Sequence, residues 1–249
     1  MGTFDIVLFD LGNTLIYFDG EWSQVLPECN LALLRSLQAS GVPIDDQPFL
    51  QMVSERFNLY FSERNTEFVE YTTHFIVRSV LAELDHADVP EDALRHALSA
   101  MYTVSQAHWI TEEDAIPTLE RLRQQGYRLG LISNAGDDTD VQTLIDKAQI
   151  RPYFDIMLTS AAQGIRKPNP RLFLKALSYW GAAPSQAVMV GDTLGADILG
   201  ARNAGIFSIW ITRRAGSPGN RDHLDTIQPD AMIDALSELP DLLLAKPGS

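Results

Sequence analysis

The chain has one cysteine, Cys29, in 249 residues. That excludes an internal disulfide and a thiolate metal cluster, and makes an intracellular protein the default expectation. Basic residues are also scarce. Nineteen Lys and Arg face 33 Asp and Glu, a formal net charge of −14, which opposes non-specific attraction to nucleic acid or to an anionic membrane surface. No apolar run approaches the ~20 residues of a membrane span. No basic segment leads into an apolar one near the N-terminus, so no signal peptide is expected and the expected location is cytoplasmic. No Gly-Lys-Ser/Thr occurs, which argues against a nucleotide P-loop. No G-x-G-x-x-G opens after the first strand, which argues against a dinucleotide site. His74, His86, His96, His108 and His223 show no ligand spacing and read as packed or exposed. Repeats and low-complexity tracts are absent, and nothing in the sequence indicates an oligomeric state. An acidic chain can still bind a small phosphorylated metabolite, provided local cations or a metal reverse the field in its site.

What is present begins with Ile6, Val7, Leu8 and Phe9, a short run of strand formers ending at Asp10 before a Gly12-Asn13 turn. This is how a strand buried on both faces of a parallel sheet reads. Ligands bind beyond the carboxyl ends of such strands, so Asp10 is expected at the floor of a site. From about Glu21 to His108 the pattern is helical. Trp22, Leu26, Cys29, Leu33 and Leu37 share one face, with Pro27 as the expected helix start. Phe49, Met52, Val53, Phe57, Tyr60 and Phe61 make a second stripe, and Phe68, Tyr71, Phe75, Ile76 and Val80 a third. Pro90-Glu91-Asp92 opens a fourth helix carrying Leu94, Leu98 and Met101. Four successive amphipathic helices imply a small bundle.

Beyond it, strands and helices alternate. Strands are expected at Arg128 to Ser133, Ile156 to Thr159, Ala187 to Val190, Ile206 to Ile211 and Ala231 to Ile233. Helices are expected at Pro117 to Gln125, Asp137 to Ala148, Pro168 to Trp180 and Leu194 to Asn203, with a last one to about Leu244. This alternation means a doubly wound parallel sheet. The expected class is therefore α/β. A Rossmann-like core of residues 1–18 and 112–249 would carry an inserted all-α cap of residues 19–111. The tail from Lys246 to Ser249 reads as disordered.

Four places could carry chemistry: Asp10; Ser133-Asn134; Lys167 in R-K-P-N-P; and Asp192 with Asp197. Each has an ordinary reading when taken alone. Asp10 is a turn or cap residue, Ser133-Asn134 a turn, Lys167 a solvated lysine, and Asp192 the N-cap of the helix from Leu194. Taken together, in that chain order, they resemble the haloacid dehalogenase-like superfamily, most of whose members are phosphatases. Asp10-Leu11-Gly12-Asn13-Thr14 is similar to its D-x-D-x-T motif. Leu131-Ile132-Ser133-Asn134 is similar to its second motif, Lys167-Pro168 to its third, and Gly191-Asp192 with Asp197 to its G-D-x-x-x-x-D. The resemblance covers Phe4 to about Ile211.

The resemblance implies a Mg²⁺-dependent hydrolase of a small phosphorylated metabolite. Asp10 would be the nucleophile, Ser133 would bind a phosphoryl oxygen and Lys167 would neutralise charge. Asp10, Asp192, Asp197 and the Gly12 carbonyl would hold the metal, and Gly12, Asn13 and Asn134 would line the phosphate site. Gly12 is the departure, because the family's phosphatases usually have there a second aspartate that protonates the leaving alcohol and activates water. Three readings follow: another group or a solvent relay replaces it (Asp137, Asp138, Asp140, Asp19 and Glu21 are candidates); only good leaving groups are expelled; or the protein is a weakly active or non-catalytic binding module. The metal-independent 2-haloacid dehalogenases also lack that aspartate and are the enzymatic rival, although their fourth motif carries no such metal-binding carboxylate. Tyr17, Phe18 and Trp22 are expected near the hinge, chiefly as packing. Arg213-Arg214 reads as a small solvated basic spot.

Overall fold

The computed structural model describes residues 4–245; the tail from Lys246 to Ser249 lies outside them. In chain order the elements are β1 (Ile6–Phe9), β2 (Ile16–Phe18), α1 (Trp22–Ala39), α2 (Asp46–Glu67), α3 (Thr73–Glu83), α4 (Glu91–Gln106) and β3 (Trp109–Thr111). There follow α5 (Ala115–Gln124), β4 (Arg128–Ser133), α6 (Asp138–Lys147), β5 (Ile156–Thr159), α7 (Ser160–Gln163), α8 (Pro170–Ser178) and β6 (Ala187–Gly191). A π-helical turn (Leu194–Ile198), α9 (Leu199–Ala204), β7 (Phe207–Ile211), α10 (Pro218–Arg221), β8 (Ala231–Ile233) and α11 (Leu239–Ala245) complete the chain.

Six strands form one parallel sheet in the order β5-β4-β1-β6-β7-β8. Strand β1 is fully buried, and its side chains alternate between two hydrophobic layers. Val7 and Phe9 pack with α5, α6 and α11 on one face, and Ile6 and Leu8 with α8 and α9 on the other. Its register sets Phe9 beside both Leu131 and Val190. The carboxyl ends of β1, β4 and β6 therefore emerge side by side, which is what brings distant residues to one edge. The core is the α/β, doubly wound arrangement that the alternation implies.

A third hydrophobic cluster, from Val25 to Met101, is built from α1 to α4 and their connections. The chain passes between this bundle and the sheet through an antiparallel ribbon of β2 and β3, with Phe18 opposite Trp109. Strand periodicity does not reveal these two strands because each is three residues long. Helix α1 begins at Trp22, ahead of Pro27, which lies inside it at the loss of one backbone hydrogen bond. Phe68 and Tyr71 do not belong to the third helix. Thr72 caps α3 by accepting from Phe75 N, and Phe68 has a left-handed backbone, φ 56°. Arg213 and Arg214 are not a free basic spot but half-buried ion-pair partners: Arg213 pairs with Glu112 and Asp114 at 2.6 Å, and Arg214 with Glu112. Both arginines thus anchor the end of the ribbon to the core.

The bundle is seated on the sheet domain at two places. Thr73 N donates to Gly136 O at 2.8 Å, and Gln106 donates to the Asp140 carboxylate at 2.8 Å. A second seam joins Val69 to Ile165 in an antiparallel bridge, with Arg166 N donating to Phe68 O.

Burial under α4 pushes the Asp140 pKa up to about 7, helped by Asp137 and opposed by the Gln106 bond. Tyr102 and Cys29 are the other titratable groups that feel its charge. Because the folded pKa exceeds the unfolded one, this stabilising contribution is complete below about 3.8 and is lost as pH rises through about 7. Asp140→Asn is expected to remove that pH dependence, roughly 2–4 kcal/mol, and to make the protein more stable than the parent at pH 8. Urea denaturation of both at pH 5 and pH 8 checks this; equal slopes with pH would contradict it.

Candidate active site

Asp10 stands one residue past β1, with its N–H bonded to Val190 O at 2.9 Å. Lys167 arrives from the loop before α8, just ahead of a cis Lys167-Pro168 peptide. Its ammonium, 1% exposed, lies 2.6 Å from Asp10 Oδ1 and 2.7 Å from Asp197 Oδ1, and donates to Ile132 O at 2.7 Å. The Asp197 contact is an ion pair outside hydrogen-bonding geometry, so this buried oxygen has no hydrogen-bond donor. Thr14 Oγ1 donates to the second oxygen of Asp10 at 3.2 Å.

Asp192 follows β6 and does not cap the next helix. Its carboxylate accepts from Thr193 Oγ1, while Trp210 Nε1 and Asn220 Nδ2 hold its carbonyl at 2.8 and 2.9 Å. The π-helical turn swings Asp197 back beneath β6, where its other oxygen accepts from Thr193 N at 3.0 Å. Gly191 permits that approach: a Cβ placed there would lie 2.4 Å from the Asp197 carboxyl carbon.

Asp10, Asp192 and Asp197 each offer a carboxylate oxygen, all within 4.8 Å of one another. Burial raises the Asp10 pKa to about 6; Lys167 pulls it down and Asp197 adds to the rise. Burial and the facing charges of Asp10 and Asp197 push Asp192 well above the carboxylate range. Burial would lower the Lys167 ammonium, but Asp10 and Asp197 outweigh it and push it up. Among the described residues three buried carboxylates therefore share one cation, and Asp10 and Asp192 each resist their own charge. A hard divalent cation with oxygen ligands fits this donor set: it would supply the positive charge that Lys167 alone does not.

Ser133, at the end of β4, is buried, and its hydroxyl has no partner among the described residues. Asn134 spends its amide on the Lys167 backbone, accepting from Lys167 N at 2.8 Å and donating to Lys167 O at 3.0 Å. Asn13 turns the chain with φ 58°. A Cβ on Gly12 would lie 3.3 Å from the Trp109 ring, so an indole from β3 borders the space that a longer side chain would enter. Trp109 in turn packs with Phe18 and with Trp22, which is 46% exposed and stacks on Phe18 at 3.9 Å. Trp22 therefore belongs to an open aromatic surface and not to the core.

Asp137, Asp138 and Asp140 are occupied away from Asp10. Asp137 caps α6, Asp138 accepts from Thr159 at 2.6 Å and Asp140 accepts from Gln106. Sequence reading did not single out Trp109, Trp210 or Asn220. Trp210 and Asn220 lie 18 and 28 residues from Asp192, and only the fold brings them to it.

The chain matches the model of the haloacid dehalogenase-like hydrolases over residues 4–205. It is 29% identical over 238 residues to a glyceraldehyde 3-phosphate phosphatase of Methanothermobacter thermautotrophicus, covering 95% of this chain and 98% of that one. Among solved structures it is similar to a 2-haloacid dehalogenase of Pseudomonas syringae pv. Tomato, with TM-score 0.67, 30% identity and 97% and 98% coverage of the two chains. It is equally similar to a phosphatase of Thermococcus onnurineus, with TM-score 0.67, 26% identity and 98% and 100% coverage.

Proposed function

Since the chain belongs to the haloacid dehalogenase-like hydrolases, we propose that it is a Mg²⁺-dependent phosphatase of a small phosphorylated metabolite, working through an aspartyl-phosphate on Asp10. The observation that carries this reading is the buried trio Asp10, Asp192 and Asp197 around Lys167. Residues 19–111 serve as the cap that excludes water and selects the substrate. The phosphatase name of the Methanothermobacter relative points the same way and suggests three-carbon sugar phosphates as first substrates.

Asp10, Asp192 and Asp197 would hold the metal, as would the Gly12 carbonyl. When bound, it offsets the repulsion between a dianionic phosphate and an anionic nucleophile. A carboxylate oxygen of Asp10 attacks phosphorus as the bond to the leaving oxygen breaks. The alkoxide takes a proton from water. A second water then attacks phosphorus and gives a proton to the hydroxide left by the first, the bond to Asp10 breaks, and phosphate leaves with the carboxylate restored. Ser133 donates its free hydroxyl to a phosphoryl oxygen, and Gly12 and Asn13 line the same floor. Lys167 neutralises charge and fixes the pose of Asp10. Asn134, through its two bonds to the Lys167 backbone, positions that lysine beside the phosphate.

Position 12 lacks a general acid, and Trp109 borders its place. Expulsion of a poor leaving group is then slow, and rates fall steeply as leaving-group pKa rises. Gly12→Asp alone is expected to change little, because the indole, 3.3 Å from the new Cβ, crowds the place of the added carboxylate. Gly12→Asp with Trp109→Ala is expected to raise kcat on alkyl esters by about 10²-fold and to leave p-nitrophenyl phosphate nearly unchanged. Rates on both esters, measured for the three proteins, check this; an equal gain on both would show that the vacancy is irrelevant.

The dehalogenase reading has one observation in its favour, the missing carboxylate at position 12. Against it, a metal-free displacement has no use for three carboxylates crowded around one lysine. The test is phosphate release from glyceraldehyde 3-phosphate, other sugar phosphates and p-nitrophenyl phosphate, with Mg²⁺ and with EDTA. Release that EDTA abolishes supports the phosphatase. No release from any ester, with halide released from 2-haloacids in EDTA, would replace it with the dehalogenase. Neither activity would leave a binding role.

A further inference from the structure

At the second seam between bundle and sheet, two arginines meet one carboxylate. Glu70, between α2 and α3, is buried, and both its oxygens are taken: Tyr60 donates to one, and Ser160 to the other at 2.6 Å. Arg166, 6% exposed, donates from Nη1 to Tyr60 Oη at 2.8 Å and stands 3.6 Å from Glu70, too far for a hydrogen bond. Its Nε is buried and has no hydrogen-bond partner.

Arg64 lies one helical turn beyond Tyr60 on α2 and brings a second guanidinium to the place. Its Nε too is buried without a partner. Among the described residues no carboxylate pairs with it, and its guanidinium lies over the Phe61 ring at 4.9 Å. Burial, and then the charge of Arg166, push its pKa down, a sign that the two cations feel each other. A clamp between bundle and sheet needs only Arg166 and Glu70. Arg64 adds a like charge whose desolvation Tyr60 and Glu70 offset only in part. Among the described residues the result is an excess of positive charge with buried, unmade hydrogen bonds, in a chain of net charge −14.

The cluster adjoins the catalytic residues. Arg166 is bonded directly to Lys167. Ser160, which supports Glu70, also accepts from Ala135 N at 2.8 Å, next to Asn134 and its grip on Lys167.

We propose that Arg64 and Arg166 bind a second anionic group of the substrate, a carboxylate or a second phosphate remote from the ester that is cleaved. This rests on the phosphatase reading and narrows it to phosphate esters that carry two anionic groups. Guanidinium groups suit either oxyanion, because both accept paired N–H donors.

The test is titration calorimetry on Asp10→Asn protein, which binds without turnover, using two pairs of esters. 3-Phosphoglycerate against glycerol 3-phosphate exchanges a hydroxymethyl group for a carboxylate. Fructose 1,6-bisphosphate against fructose 6-phosphate adds a second phosphate. The doubly anionic member of at least one pair is expected to bind at least about tenfold tighter, and the pair that responds identifies the anion. Adding Arg64→Gln is expected to bring that preference within about threefold while changing the singly anionic ester less than twofold. Arg64→Lys is expected to retain part of it. Binding of both members without preference, or an equal loss on both in Arg64→Gln, would overturn this proposal alone. Binding of no ester would overturn the phosphatase reading with it. Thermal melts of each variant show that the fold is kept.

Discussion

Asp10→Asn protein is expected to release no measurable phosphate from any ester, a loss of about 10⁴–10⁶-fold, while folding as the parent does. Asparagine matches aspartate in shape and still offers Lys167 Nζ an oxygen, but its amide is too weak a nucleophile to form the phosphorylated intermediate. Stability should survive because Asp10 is not at ease when charged. Its pKa is raised to about 6, chiefly by burial. Its stabilising contribution is therefore complete below about 3.8 and lost as pH rises through about 6. A neutral side chain at pH 8 relieves repulsion toward Asp197 and leaves Lys167 with that second carboxylate at 2.7 Å. Phosphate release and a thermal melt at pH 8, run side by side, check both halves. Turnover above a hundredth of the parent rate would remove Asp10 as nucleophile, and a collapsed melt would make the rate uninformative.

Lys167→Met is expected to have a large effect on stability as well as on rate. Among the described residues the lysine is the one cation paired with Asp10 and Asp197, and it is buried with the carboxylate trio. Methionine fills a similar volume but leaves like charges facing each other without compensation. Removing one partner of such a buried set costs roughly 3–5 kcal/mol. The cost should be greatest at pH 8 in EDTA. It should shrink as pH falls, because Asp10, whose pKa Lys167 holds down in the parent, takes up a proton more readily without it, and Mg²⁺ should restore part of it by replacing the lost positive charge. Urea denaturation at pH 5 and pH 8, with and without Mg²⁺, separates these terms. A variant as stable as the parent in all four conditions would mean that the carboxylates are not ionised together. Activity should fall at least about 10³-fold even where Mg²⁺ restores the fold, because Asp10 then lacks the contact that orients it.

Much of the core could be read from the chain because its causes are local. Ile6 to Phe9 is too apolar to be anything but a strand buried on both faces, and Gly126 and Gly205, with φ of 89° and 73°, end α5 and α9 close to where glycine is expected. Helix α4 begins at Glu91, beside Pro90 and its acidic first turn. The misreadings also have local causes. Aromatic spacing extended the third helix back to Phe68, although Thr72 is a better N-cap and Phe68 takes a left-handed turn that joins bundle to sheet. The β2–β3 ribbon was illegible because three residues cannot display a period, and its pairing spans more than ninety residues.

The sequence by itself determined the α/β class, the family, and the residue types available for chemistry. Side-chain period, capping and motif spacing are written over a few neighbouring residues, and a reader needs no third dimension to see them. Only the tertiary structure decided which of those residues meet. Strand register, set by packing on both faces of β1, brought Asp10, Ser133 and Asp192 to one edge, and a loop 157 residues from Asp10 delivered Lys167 among them. The same packing laid Trp109 over Gly12, drew Asp137, Asp138 and Asp140 into other bonds, and left Arg64 beside Arg166 without a carboxylate among the described residues. Such juxtapositions depend on desolvation and on distances between remote segments, and neither quantity exists until the chain has folded.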